Sequence, residues 1–147
     1  MGVDLLWRQR VVQLVSEWKP ENLLDLATGT GDLALAILNA MPEIRLTGSD
    51  FCQPMLDIAA RRGLDHLVCA DAMNLPFPSA SYDAVTVAFG LRNMASYPDA
   101  LREMGRMLRP GGHLLILDFS LPESLLKSPY RFYLHLSLIH ISEPTRP

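Results

Sequence analysis

Two aspartates and a pair of glycines have the types and spacing to do chemistry. The segment Asp25-Leu26-Ala27-Thr28 runs into Gly29-Thr30-Gly31-Asp32-Leu33-Ala34, and Asp50 follows 19 residues after Gly31. Glycines at such a turn let the backbone take positive φ and approach a ligand closely. In an open parallel sheet, ligands bind beyond the carboxyl ends of the strands, near the point where strand order switches. A carboxylate there can accept both hydroxyl hydrogens of a ribose. The chemistry implied is capture of a nucleoside-bearing ligand. Gly29-x-Gly31-x-x-Ala34 also satisfies the dinucleotide fingerprint, whose acidic residue lies about 20 residues on. NAD and S-adenosylmethionine both fit, and the plainer alternative is a tight turn beside a solvated Asp50.

These residues need strands to hold them and helices to bury the strands. Val3–Trp18 spaces Leu5, Leu6, Val11, Val12, Leu14, Val15 and Trp18 as an amphipathic helix, ended by Pro20. Asn22–Thr28 reads as a buried strand stopped by Gly29, and Leu33–Met41 as a helix closed by Pro42. Ile44–Asp50 is a second strand. Pro54 opens a helix with Met55, Leu56, Ala59 and Ala60 inward, and Gly63 ends it. His66–Asp71 is a third strand, Ala72–Ser81 a loop with two prolines, and Tyr82–Gly90 a fourth strand. Ser96 and Asp99 form an S-x-x-D start for a helix carrying Leu101, Met104 and Leu108. Arg109–Gly112 (RPGG) breaks it before a fifth strand, His113–Ser120. Strands alternating with helices predict an α/β fold, a parallel sheet covered on both faces.

Bulk properties bound the function. A chain of 147 residues with 49% hydrophobic and 20% charged residues suits one packed domain. A net charge of −3 argues against a broad nucleic-acid surface. No apolar run approaches the roughly 18 residues of a membrane span. The start MGVDLLWRQR has charges where a signal peptide would be apolar. Cys52 and Cys69 lack the paired spacing of a metal site and read as small buried hydrophobes. The expectation is a cytoplasmic domain without a metal.

Three features favour the methyl donor over NAD. Many methyltransferases carry an acidic residue where Asp25 stands. Asp71-Ala72 followed by LPFP resembles their adenine-binding segment, and RPGG resembles a recurrent turn of theirs. Together with DLATGTGDLA (25–34), SDFCQPMLDIA (49–59), ADAMNLPFPSASYDAVTVAFGLRN (70–93) and ALREMGRMLRPGGHLLILDFSLP (100–122), the sequence resembles one family. That family is the quinone-biosynthesis C-methyltransferases acting on demethylmenaquinone or a ubiquinone precursor. AFGLRN is its specific segment, and GVDLLWR (2–8) matches its pre-sheet helix. The resemblance implies the class I S-adenosylmethionine-dependent methyltransferase fold, a Rossmann-like sheet. It implies donor contacts from Thr30, Asp50, Asp71 and Ala72, with Gly29, Gly31 and Asp25 forming the turn. A further contact falls on Ala88, where only the backbone can serve. The partner implied is a polyprenyl quinol, with peripheral contact at the bacterial inner membrane because quinones partition into lipid.

Methylation of carbon needs an electron-rich ring carbon in line with the donor methyl. Reduced quinone hydroxyls have phenol-like pKa values of about 10, so a charge that favours the phenolate activates the ring. Arg92 and Asn93 follow the fourth strand on the catalytic edge. Arg92 is expected to polarise the substrate hydroxyl and Asn93 to orient it, with Asp118 as a partner for Arg92. Arginine is no literal base, its pKa being above about 12. A surface salt bridge and a turn cap are the plainer roles for these two residues. Leu91, Met94 and Phe89 suit core packing better than an isoprenoid chain.

The ends stand apart. Leu136–Arg146 back-translates, with permitted codons, to a transposon-type sequencing adapter. Residues 1–135 are expected to be a methyltransferase core fragment and 136–147 a non-native tail, which keeps His140 and Glu143 out of any mechanism. Met1 reads as an internal methionine. The family's N-terminal segment and last two strands are expected to be missing, leaving strands one to five of seven. An uncovered fifth strand would expose an edge, so the chain as given is expected to be unstable or inactive.

Overall fold

The computed structural model describes residues 2–90, 94–117, 131–135 and 138–142. Helix α1 (Gly2–Trp18) leads into β1 (Asn22–Leu26), α2 (Asp32–Ala40), β2 (Arg45–Asp50), α3 (Gln53–Arg61), β3 (Leu67–Cys69) and β4 (Tyr82–Ala88). Then follow α4 (Tyr97–Met107), β5 (Leu108–Leu117), β6 (Arg131–His135) and β7 (Leu138–Ser142). The strands form one sheet in the order β3-β2-β1-β4-β5-β7-β6. The first five run parallel, as the alternation of strand and helix predicts. The order reverses between β1 and β4, which makes their carboxyl ends the switch point.

The two faces of the sheet are separate cores, because strand side chains alternate. Leu24, Leu26, Val85, Val87, Leu114 and Ile116 face α4 through Ala100, Leu101, Met104 and Met107. Leu23, Leu46, Ala84, Leu115 and Leu117 face the other way, among Val11 and Val15 of α1, Ala34 and Ile37 of α2, and Ala59 of α3. Each fully buried Leu or Val contributes about 1.5–3 kcal/mol. Helix α4 starts where the sequence predicts, with the Ser96 side chain accepting from the Asp99 amide at 3.3 Å.

At the β5 edge the structure differs from the expectation in two ways. Beside the five parallel strands expected, two more add to the edge: β7 pairs antiparallel with β5, and β6 with β7. An open edge presents unpaired amides and carbonyls to any extended segment, and LIHIS is rich in β-formers. The RPGG segment is not a break before the fifth strand but part of β5. Register slips there, from Tyr82↔Leu108 to Ala84↔His113. Arg109 holds the irregular segment to β4 through a 2.6 Å ion pair with Asp83. The same carboxylate accepts from the Glu21 and Asn22 amides at 2.9 and 3.0 Å, tying β1 to β4. Burial pushes Asp83 up, but those amides and Arg109 outweigh it and hold the carboxyl below its ordinary value.

The connection Ala72–Ser81 has no helix of its own and is pinned by α4 instead. The Glu103 carboxylate accepts from the Leu75 amide at 2.6 Å. The Arg106 guanidinium donates to the carbonyls of Leu75 and Phe77 at 3.0 and 2.9 Å and to Glu103 at 2.7 Å. The Arg106 bonds, helped by the Leu75 amide against burial, hold Glu103 below the usual carboxylate range. A depressed carboxylate stabilises the fold above its unfolded pKa and loses that effect as pH falls through its folded value. Glu103→Gln is therefore expected to lower stability by about 1 kcal/mol at neutral pH, after solvent screening, and by nothing in strong acid. Denaturant unfolding at the two pH values checks this.

Candidate functional site

The site begins with a row across the sheet. Asp25 in β1 lies between Gly48 of β2 and Thr86 of β4, and Thr86 pairs in turn with Leu115 of β5. All four fall on the face covered by α1 and α2, since their neighbours Leu23, Ala84 and Leu117 do. Asp25 is only 2% exposed and Thr86 is fully buried. The Thr86 hydroxyl donates to one Asp25 oxygen at 2.6 Å, and the Thr28 hydroxyl donates to the other. Burial, opposed by these two bonds and reinforced by the charge of Asp50, raises the Asp25 carboxyl to about 6. Gly48 makes the arrangement possible: a Cβ there would stand 2.9 Å from the Thr28 hydroxyl.

Thr28 carries the turn. Its amide donates to Ser49 at 3.0 Å, and its carbonyl accepts from the Gly31 amide at 2.9 Å. The Gly29 amide donates to Asp50 Oδ2 at 2.8 Å, and the Cys52 amide to Asp50 Oδ1 at 3.0 Å. Asp50 is thus not a solvated carboxylate, though each oxygen keeps a lone pair. The two glycines do different jobs. Gly31 caps α2 at φ 94°, and a Cβ there would lie 2.8 Å from Leu64, so it allows helix packing. Gly29 meets nothing nearer than 3.9 Å and is the one left open to a ligand. Arg62 braces the turn from outside, donating to the Thr30 carbonyl and to Asp32 at 2.8 Å.

A pocket of about 190 Å³ opens at the switch point, bordered by Asp25, Ala27, Thr28, Gly29 and Thr30 on one side and Ala88 and Phe89 on the other. Ala27 and Phe89 hold φ of 53° and 62°. Non-glycine residues in this region cost about 1–3 kcal/mol and gather at functional sites. Positive φ at Phe89 also ends β4 at Ala88, two residues earlier than predicted. Helix α1 lays Trp7 across the pocket, edge-on to Phe89 at 4.9 Å.

Sequence-predicted residues fall as follows. Asp25, Gly29, Gly31, Thr30, Asp50 and Ala88 surround the turn and pocket. Asp71 and Ala72 lie just beyond β3 on the same sheet edge, where Asp71 accepts from the Met73 amide at 2.9 Å. Arg92, Asn93, Leu91 and Asp118 lie outside the described residues. Phe89 and Met94 pack against the two cores, as expected. Cys52 and Cys69 are not buried: Cys52 is half-buried and Cys69 exposed, since both sit at the open end of an edge strand pair. Sequence reasoning missed Trp7, Gly48, Thr86 and Phe51. Phe51 is 77% exposed directly after Asp50, with Met55 and Ile58 at helical spacing behind it. An unburied aromatic at a strand's carboxyl end was the available signal.

A model of the ubiE/COQ5 methyltransferase family matches residues 1–142. The chain belongs to the ubiE/COQ5 methyltransferase family. It is 52% identical over 126 residues to the demethylmenaquinone methyltransferase of Thermus thermophilus, covering 82% of this chain and 57% of that protein. It is 40% identical over 142 residues to the mitochondrial 2-methoxy-6-polyprenyl-1,4-benzoquinol methylase of Caenorhabditis elegans, covering 90% and 50%. The chain spans little more than half the length of the curated relatives it matches. An S-adenosylmethionine-dependent methyltransferase of Aquifex aeolicus superposes with a TM-score of 0.71 at 16% identity, over 89% of this chain and 87% of that one. The fold is the class I Rossmann-like methyltransferase fold. The [4+2]-cyclase SpnF superposes at 0.66 and 35% identity, over 74% and 44%, so fold alone does not fix chemistry. Family membership decides between the two nucleosides that the glycine spacing admits, in favour of S-adenosylmethionine.

The raised carboxyl of Asp25 has a consequence opposite in sign to that of Glu103. A carboxyl whose folded pKa is raised stabilises most below its unfolded value near 4, and stability falls as pH rises through about 6. Asp25→Asn in the full-length protein is expected to gain up to about 2 kcal/mol at pH 8 and nothing below pH 4. Unfolding curves at both pH values read this directly.

Proposed function

We propose that the full-length protein is an S-adenosylmethionine-dependent C-methyltransferase of menaquinone (ubiquinone) biosynthesis, methylating demethylmenaquinol. The observation that carries the reading is the Gly29–Asp50 bond at the switch point, which sets an open backbone turn beside an acceptor carboxylate. The residues fit the donor. Asp50 has lone pairs left for ribose hydroxyls. Phe51 and Met55 offer an apolar side to the base, and Asp71 and Ala72 lie on the same edge to give it polar contacts. Thr30, Gly29 and the Ala88 backbone border the amino-acid end. Asp25 and Asp50 place negative charge around a cationic ligand.

The donor, when bound, supplies an electrophilic methyl group to the ring carbon. What the chain supplies is position and charge. Trp7 and Phe89 give the pocket an apolar border. Arg92, just past β4, stabilises the developing phenolate oxygen of the quinol, and Asn93 orients that hydroxyl. Both roles rest on position and on the family resemblance. The acceptor is a polyprenyl naphthoquinol, and the protein acts from the cytoplasm at the bacterial inner membrane. No described helix is long and apolar enough to cross a membrane. Peripheral contact is proposed from the substrate, because quinones partition into lipid.

Full-length protein incubated with S-adenosylmethionine and reduced demethylmenaquinone is expected to yield the ring-methylated quinone by mass spectrometry. Arg92→Ala is expected to cut kcat by about 100-fold or more with donor affinity unchanged. Absence of the methylated product from the wild type contradicts the function, and an unchanged kcat contradicts the role of Arg92.

A further inference from the structure

Thr86 sits in the middle of β4, fully buried, yet it is polar. A strand threonine there has no need of a hydroxyl for packing, because valine has the same shape. Its hydroxyl instead donates across the strands to Asp25 at 2.6 Å. Asp25 in turn accepts from Thr28, the residue that ties the glycine turn to β2 and to the start of α2. Thr86, Asp25 and Thr28 thus form one chain of bonds from the sheet interior to the turn.

We propose that Thr86 is a positioning residue for the methyl-donor site: it fixes the Asp25 carboxylate as an ionised anchor that holds the glycine turn in its ligand-binding shape. This rests on the donor-binding reading above. A hydroxyl donating to a carboxylate favours the charged form. Without it, burial and the nearby Asp50 charge drive Asp25 towards its neutral acid. The neutral acid must spend one oxygen as a donor, and the two threonines can no longer both donate to it. The groups around Asp25 leave Thr86 as its only support from β4. From β2 comes Asp50, which opposes ionisation. From α2, Asp32 lines the same pocket. From α1, the Arg8 guanidinium lies over the Trp7 ring. From β5, the paired residue is the apolar Leu115.

The test is the affinity of the full-length protein for S-adenosylhomocysteine, by calorimetry from pH 5 to 9. Wild-type affinity is expected to fall on the acid side near pH 6. Thr86→Val is expected to move that fall up by about one pH unit, while Thr86→Ser restores the wild-type profile. A lost packing contact would weaken binding equally at every pH. An acid limb in Thr86→Val that superposes on the wild type overturns the inference while leaving the donor site standing. A wild type that binds no S-adenosylhomocysteine at any pH overturns both. Asp25→Asn keeps the question open to decision if Thr86→Val does not fold: its profile is expected to lose the acid limb, and persistence of the limb overturns the proposal.

Discussion

The bond from the Gly29 amide to the Asp50 carboxylate joins the two strands on which the site depends. It fixes the turn after β1 against the end of β2. The turn cannot hold itself: Ala27, Gly29 and Gly31 all sit at positive φ, and none has a regular ladder to follow. Its shape is imposed from outside, by Asp50 and Ser49 on one side and by Asp25 through Thr28 beneath. Arg62 closes the arrangement from the solvent face.

Beneath the turn lies a buried charge, and this is a conflict between stability and function. Asp25 would fold more comfortably as a neutral acid or as asparagine. Among the described residues the surrounding structure gives it two hydroxyl donors, enough to reduce the penalty of burial without removing it. Buried carboxyls with raised pKa values gather at sites that meet ligands. The same edge carries the strained Phe89 and the exposed Phe51, whereas the opposite edge holds the relaxed ion pair of Asp83 and Arg109. The sheet thus keeps its stabilising electrostatics at one end and its costly groups at the other.

Much of this was legible in the sequence, for reasons that differ by element. The apolar runs of β1 and β4 and the Ser96–Asp99 start of α4 are local patterns, and the structure keeps them. The turn at Gly29 and the carboxylate of Asp50 were legible from their spacing, and the structure bonds one to the other; Asp25 was singled out by the family resemblance. Thr86 and Gly48 were not, because their meaning lies in register with β1, and no single strand states its register. Gly31 takes the positive φ that its place in the turn predicts, while its close neighbour Leu64, which belongs to another element, was not legible. Strands β6 and β7 were not read as strands, because a strand that completes an open edge is held by backbone bonds, which leave little trace in side-chain pattern. The RPGG segment read as a turn because Pro and Gly are turn residues, whereas Arg109 and Asp83 draw it into β5.

The central claim is that the turn and Asp50 together cradle the ribose of a methyl donor. A crystal structure of the full-length protein with S-adenosylhomocysteine tests it most directly. Both ribose hydroxyls are expected within hydrogen-bond distance of the Asp50 carboxylate, with the base against Phe51 and the Gly29–Asp50 bond intact. A ligand bound elsewhere, or one that leaves Asp50 without a ribose contact, would contradict the account.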